Sequence, residues 1–200
     1  MKKFPLFSFV RIVFGPIIRA LYGVRYQGRE LVPKEGAVVI VCNHVQAMDP
    51  TLIVAGVPRT VSFLAKEELY CKKLIRFFLL KLATVPVARH RADLASVRTC
   101  LERLGSGGAV GVFPEGTRSH SVNMAPFEPG AALLAYRSGA LVVPAAISGP
   151  YKAFGKGVCV RFGEPFRLEP QDPKRLTKDD LNAGAQRMYA AVSGLMRNNH

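Results

Sequence analysis

Gly36-Ala37-Val38-Val39-Ile40-Val41-Cys42-Asn43-His44-Val45-Gln46-Ala47-Met48-Asp49-Pro50 is the stretch whose reading decides the fold. Val38–Cys42 is a short, uncharged, mostly β-branched run, the pattern of a strand buried on both faces. Pro50 disfavours helix at Asp49 and itself suits a first helical position. The stretch therefore reads as a strand, a turn carrying His44, and a helix beginning at Pro50 with Asp49 near its cap. On a continuous helix, side chains five residues apart point about 140° away from each other. His44 and Asp49 can pair only if the backbone turns between them.

Similar apolar runs recur outward from this stretch, at Val61–Ala65, Ala83–Val87, Ala109–Phe113, Leu141–Ile147 and Val158–Phe162. Helical patterns lie between them. Asp93–Leu104 puts Leu94, Val97, Leu101 and Leu104 on one face, and Gly105 offers a stop. Pro129–Ser138 is a shorter helix, and Thr177-x-x-Asp180 resembles a capping box opening a last helix towards Leu195. Strands alternating with helices predict a single α/β domain, with a mostly parallel or mixed sheet flanked by helices, over residues 31–200.

Residues 1–30 are set apart as an N-terminal helical segment lying in a membrane interface. Phe4–Tyr22 is rich in Phe, Ile, Leu and Val, with Arg11 and Arg19 among them, and Pro5 and Pro16 break or open its helices. That mixture suits a broken interfacial helix whose cations reach lipid phosphates; the alternative is a helix docked on the protein's own core. Lys66–Leu82 is read as a helix and poses the same choice. Leu69, Tyr70, Leu74, Ile75, Phe77 and Leu80 share it with Lys72, Lys73, Arg76 and Lys81. A surface touching anionic lipid fits this better than a core helix with a solvated basic edge.

The chain has 200 residues and a formal net charge of +14, so one domain with an anionic partner is expected. That partner is nucleic acid, acidic lipid or a phosphorylated substrate. No helix-turn-helix, zinc-finger or RNP-like pattern supports nucleic acid. Cys42, Cys71, Cys100 and Cys159 lie far apart and are expected to be reduced, mostly buried thiols. No segment has the roughly 20 apolar residues that a spanning helix needs. The N-terminus lacks a signal-peptide cleavage pattern, so it is expected to belong to the mature protein. No third ligand accompanies His44 and Asp49, so no metal is expected.

His44 is a candidate general base, because imidazole titrates near neutral pH. Asp49 would orient the ring and stabilise its protonated form. Phe113-Pro114-Glu115-Gly116-Thr117-Arg118-Ser119 follows another strand, where Gly116 permits close backbone approach and Arg118 offers a planar fork for phosphate oxygens. Val85–Arg89 ends a third strand with a second arginine, and Val142–Ile147 includes Pro144. A base and two arginines at strand ends suggest a site that activates a hydroxyl on a phosphorylated substrate.

These four blocks, in this order, resemble those of the glycerolipid acyltransferase family, most closely the 1-acyl-sn-glycerol-3-phosphate acyltransferases. Asn43-His44…Asp49 matches the family's NHx4D block and Arg89 its second. Phe113–Ser119 matches FPEGTRS, and Val143-Pro144 matches the proline-containing fourth. Gln46 stands where the family often has Ser. Ala83 or Thr84 stands where a glycine commonly opens the second block. The resemblance implies transfer of a fatty acyl group from acyl-CoA or acyl-carrier protein to the sn-2 hydroxyl of lysophosphatidic acid, giving phosphatidic acid. His44 and Asp49 would be catalytic. Arg89 and Arg118 would bind the acceptor phosphate, with Glu115, Gly116 and Thr117 shaping that pocket. No cofactor beyond the acyl thioester is implied. The implied location is peripheral or monotopic, on an anionic membrane surface at the cytoplasmic face. Rival readings keep the chemistry but change the acceptor to a lyso-ornithine lipid, a lysophospholipid or glycerol 3-phosphate. A rival from another class is a non-catalytic basic protein binding membrane or nucleic acid. His90, His120 and His200 carry no assigned role.

Overall fold

Every residue of Val38–Cys42 is buried, so this run needs cover on both faces and partners on both edges. The structure, a computed structural model, describes residues 10–88, 93–118, 124–151 and 157–197. A π-helical turn at Val10–Phe14 leads into helix α1 (Gly15–Tyr22) and strand β1 (Arg25–Gln27). Strand β2 (Val38–Cys42) is followed by α2 (Asp49–Gly56) and β3 (Val61–Lys66). A 3-10 turn at Glu67–Cys71 precedes α3 (Lys73–Lys81) and β4 (Val85–Val87). Helix α4 (Leu94–Gly105), β5 (Ala109–Val112), α5 (Gly130–Ser138) and β6 (Leu141–Ser148) come next. Strand β7 (Cys159–Phe162) and the long helix α6 (Lys178–Arg197) complete the described chain.

The seven strands form one sheet in the order β1-β7-β6-β2-β5-β3-β4. Central β2 pairs in parallel with β5 and β6, and β3 in parallel with β5 and β4. Strand β7 runs antiparallel to β6 and carries β1 alongside it in parallel. The sheet is therefore mixed and mostly parallel. It begins at Arg25, inside the stretch 1–30 that the sequence set apart.

Alternate residues of β2 serve opposite faces. Val38, Ile40 and Cys42 pack with Ile18 of α1 and with Leu52 and Ile53 of α2. Val39 and Val41 pack with Cys100 and Leu104 of α4, Ala132 of α5, and Met188 and Val192 of α6. Each such buried aliphatic side chain contributes about 1.5–3 kcal/mol, so a charge at any position of β2 would break the sheet's centre.

The chain leaves β2 for α2 on one face and leaves neighbouring β5 for α5 on the other. Parallel neighbours whose continuations part in this way leave a crevice at their carboxyl ends, where α/β sheets bind ligands. His44 and Phe113–Arg118 lie there.

Lys66–Leu82 departs from the single helix the sequence suggested. Strand β3 runs on to Lys66, and the helix starts only at Lys73. Its apolar residues do not enter the core: Leu74 is 70% exposed, and Leu69, Ile75 and Leu80 are exposed too. The core-helix alternative therefore fails for this segment. Helix α1 is divided, with Ile18 docked on the core while Ile12, Val13 and Ile17 of this region face outward. Residues 4–9 of the expected interfacial segment lie outside the described residues. Strand β4 starts later than Ala83 because Ala83 has φ +60, the left-handed conformation that ends α3. Cys42, Cys100 and Cys159 are buried as expected, whereas Cys71 is exposed. Among the described residues, no helix is long and apolar enough to cross a membrane.

Candidate active site

Asn43 allows the chain to leave β2 without abandoning the sheet. Its side-chain amide donates to the Ile147 carbonyl at 2.9 Å and accepts from the Ile147 N–H at 2.8 Å. The side chain thus continues the ladder to β6 while the backbone turns. His44 follows at the rim, its side chain 14% exposed.

Asp49 opens α2, next to Pro50, and is fully buried. Its carboxylate turns back over the preceding loop. Oδ2 accepts from the backbone N–H of Val45 at 2.6 Å and of Gln46 at 2.8 Å, and lies 2.8 Å from His44 Nδ1. Residues 43–48 therefore supply the turn that the five-residue spacing demanded. A carboxylate only accepts, so Nδ1 carries the imidazole proton and Nε2 is left with its lone pair. That is the tautomer a general base needs.

The imidazole has a floor as well as an anchor. Its ring stacks on Phe113, centroids 4.2 Å apart, and Phe63 stacks behind Phe113 at 5.4 Å. Gly111 of β5 lies opposite Phe63 in the ladder, and a Cβ there would sit 2.3 Å from the Phe63 ring. Only a glycine leaves room for this stack.

Glu115 sits below the turn, buried, with both oxygens occupied. Oε1 accepts from the backbone N–H of His44 at 2.8 Å and Oε2 from that of Ala125 at 2.9 Å. The sequence placed Glu115 among residues shaping a phosphate pocket. The structure ties its carboxylate to the backbone of the histidine turn. Gly116 has φ +69, which lets the chain reverse after Glu115. Thr117 and Arg118 follow on the exposed rim. Arg89 and Ser119 lie outside the described residues, as do His90, His120 and His200.

One nearby group escaped the sequence reading. The Tyr151 hydroxyl, beyond the end of β6, donates to Asp49 Oδ1. Burial, then the Asp49 charge, pushes its phenol far above the ordinary value, so it stays a donor. Cys42, the last residue of β2, is fully buried; desolvation and the Asp49 and Glu115 charges push its thiol well up, which keeps it neutral and unreactive.

The geometry is an imidazole with an oriented lone pair, at the mouth of a crevice, held by a buried carboxylate. A family model described as Acyltransferase matches residues 23–148, a span that contains every part of this arrangement except Tyr151. The chain belongs to that family.

The acyltransferase is 32% identical over 166 residues to a Bacillus subtilis protein named 1-acyl-sn-glycerol-3-phosphate acyltransferase, covering 80% of this chain and 82% of the relative. A Borreliella burgdorferi protein of the same name is 27% identical; the match covers 68% of this chain and 55% of that protein. Among solved structures, the acyltransferase is similar to the 1-acyl-sn-glycerophosphate (LPA) acyltransferase PlsC from Thermotoga maritima. The TM-score is 0.74 at 26% identity, over 94% of this chain and 78% of that one. The family resemblance read from the four blocks is thereby established. In this acyltransferase the first block follows β2, the third follows β5, and Val143-Pro144 of the fourth lies in β6 beside Ile40 and Val41 of β2.

Proposed function

We propose that this enzyme moves an acyl group from the thioester of acyl-CoA or acyl-carrier protein to the sn-2 hydroxyl of 1-acyl-sn-glycerol 3-phosphate, giving phosphatidic acid. The single observation that carries the reading is the His44–Asp49 pair, with Nδ1 tied to the acid and Nε2 turned over to chemistry. The names of the relatives supply the acceptor.

Nε2 of His44 removes the proton of the acceptor hydroxyl as that oxygen attacks the thioester carbonyl. Asp49 stabilises the imidazolium that results. The tetrahedral intermediate collapses, the carbon–sulfur bond breaks, and the thiolate takes the proton from Nε2. No covalent enzyme intermediate is needed. Arg118 on the exposed rim, with Arg89 from the second block, grips the acceptor phosphate. Gly116 and Thr117 shape the loop between, and Glu115 holds that loop to the histidine turn. The chemistry calls on no cofactor or metal besides the acyl thioester.

The acceptor and product are lipids, so the enzyme works at an anionic bilayer as a peripheral or monotopic protein on the cytoplasmic face. Three features support this. Apolar side chains stand exposed on the segment entering α1 and on α3. Arg11, Arg19 and Arg29 line one cavity of about 290 Å³ together with Ile12. The net charge is +14. Nearby basic residues contribute about 1 kcal/mol each at an anionic surface, and exposed apolar side chains add insertion.

The test incubates purified enzyme with acyl-CoA or acyl-carrier protein thioesters and a panel of acceptors, identifying products by mass. The panel holds lysophosphatidate, lysophospholipids, lyso-ornithine lipid and glycerol 3-phosphate. The expected product is phosphatidic acid from lysophosphatidate; turnover confined to an acceptor without a phosphomonoester would contradict the proposal.

A further inference from the structure

We propose that Tyr151 is a positioning residue of this acyl transfer, its hydroxyl setting through Asp49 how firmly the His44 imidazole is held and how readily it keeps a proton. The proposal rests on the reading of His44 as the base.

The two oxygens of Asp49 are unequally loaded. Oδ2 takes two backbone N–H groups and the His44 ring. Among the described residues, Oδ1 has one partner, the Tyr151 hydroxyl. Asp49 is fully buried, so water cannot replace a lost donor there. Tyr151 is brought to this place by tertiary structure alone, 102 residues from Asp49 in sequence. Its ring is held edge-on by Tyr22 at the end of α1, centroids 6.3 Å apart.

The titratable and charged groups around this trio can be named by element. His44 comes from the turn, Asp49 from α2, Cys42 from β2, Glu115 from the loop after β5, Tyr22 from α1, and Tyr26 from β1 with the charges of Arg29 and Arg19 facing it. Cys42 and Tyr26 are both pushed up by burial, Tyr26 to about 12, so neither titrates in the working range. Tyr151 keeps its own proton throughout. The reacting proton moves only between the acceptor hydroxyl, Nε2 and the departing thiolate.

A carboxylate with one donor fewer is a stronger base, and the Asp49–His44 pair then takes its inhibitory proton at higher pH, whichever partner receives it. In Tyr151→Phe the acid limb of kcat/KM should move up by about half a unit to one unit. Turnover should fall about tenfold, because the imidazole is less firmly placed. KM for lysophosphatidate should not change. A residue that merely packs would lower thermal stability and leave the limb where it was, and that result overturns the proposal. In an Asp49→Asn background, Tyr151→Phe should have almost no further effect on residual turnover; a full tenfold loss there also overturns it. If Tyr151→Phe does not fold, 3-fluorotyrosine at position 151 keeps the ring and is a stronger donor. It should move the acid limb down, and an unmoved limb refutes the role. His44→Ala assayed alongside separates the two readings. Loss of its activity with an unmoved Tyr151→Phe limb removes the Tyr151 role alone, whereas an active His44→Ala removes the base assignment and the Tyr151 role with it.

Discussion

Glu115 lies in the third block, in the loop that follows β5. Its carboxylate is buried and saturated by the N–H groups of His44 and Ala125. Glu115→Gln replaces one oxygen with an amino group that meets an N–H donor head-on, a mismatch costing about 1–3 kcal/mol. Thermal melting should show that loss, and kcat should fall as the histidine turn loosens, with KM for lysophosphatidate unchanged. Had Glu115 lined a phosphate site, removing its charge would lower KM instead. The residues legible in the sequence were those whose partner lies close by. His44 and Asp49 are five apart and flanked by Pro50, so their turn can be inferred. Glu115 reaches 71 residues back and Tyr151 reaches 102. Neither contact has a local signature, because each exists only once the crevice at the ends of β2 and β5 has formed.

At the scale of elements, local chemistry was the more reliable guide. The Thr177-x-x-Asp180 pattern does open α6. Asp180 accepts from the N–H and hydroxyl of Thr177 and from the N–H of Gln171, and Thr177 Oγ1 accepts from the Asp180 N–H. The backbone N–H of Gln171 and the Thr177 groups hold its carboxyl below the ordinary range. Asp93 at the start of α4 is lowered by the N–H groups of Ala88 and Ser96. A carboxyl depressed in the folded state adds stability above its unfolded value, near about 3.9, and loses it as pH falls through the folded value. In melts between about pH 6 and pH 2, Asp180→Asn should be less stable than wild type at the upper end, with the gap closing in acid. A gap that stays constant would show that charge is not what Asp180 contributes. Helix α3 was harder to read, since a pattern apolar nearly all round does not say whether core or lipid covers it. Exposure of Leu74 on α3, and of Ile17 on α1, indicates that the protein's own core covers neither side chain. Exchanging both for Glu should weaken binding to phosphatidylglycerol vesicles tenfold or more, at about 1.5–3 kcal/mol per inserted side chain, with melting unchanged. Unaltered sedimentation with vesicles would contradict the interfacial account.

For the whole molecule, the alternation of apolar runs with amphipathic ones was enough to predict an α/β domain, and six of the seven strands coincide with runs visible in the sequence. The strand order was not legible. That β2 lies between β5 and β6, rather than beside β3, follows from helix packing on both faces, which no local pattern records. Strand β1 was missed because Arg25-Tyr26-Gln27 is short, polar and at the sheet's edge, where it pairs with β7. The consequence of this topology is functional. Two strand ends from distant parts of the chain meet, one bringing the imidazole and the other the loop with Arg118, while both faces are closed by helices. The net charge of +14 suits the anionic acceptor and the anionic bilayer surface proposed for this enzyme.

The most direct measurement compares wild type with His44→Ala in single-turnover transfer from acyl-CoA to lysophosphatidate, following phosphatidic acid by mass. With the base and its acid acting as a unit, removal of the imidazole should slow transfer by about a thousandfold or more while thermal melting changes little. A His44→Ala enzyme that forms phosphatidic acid at the wild-type rate would contradict the account.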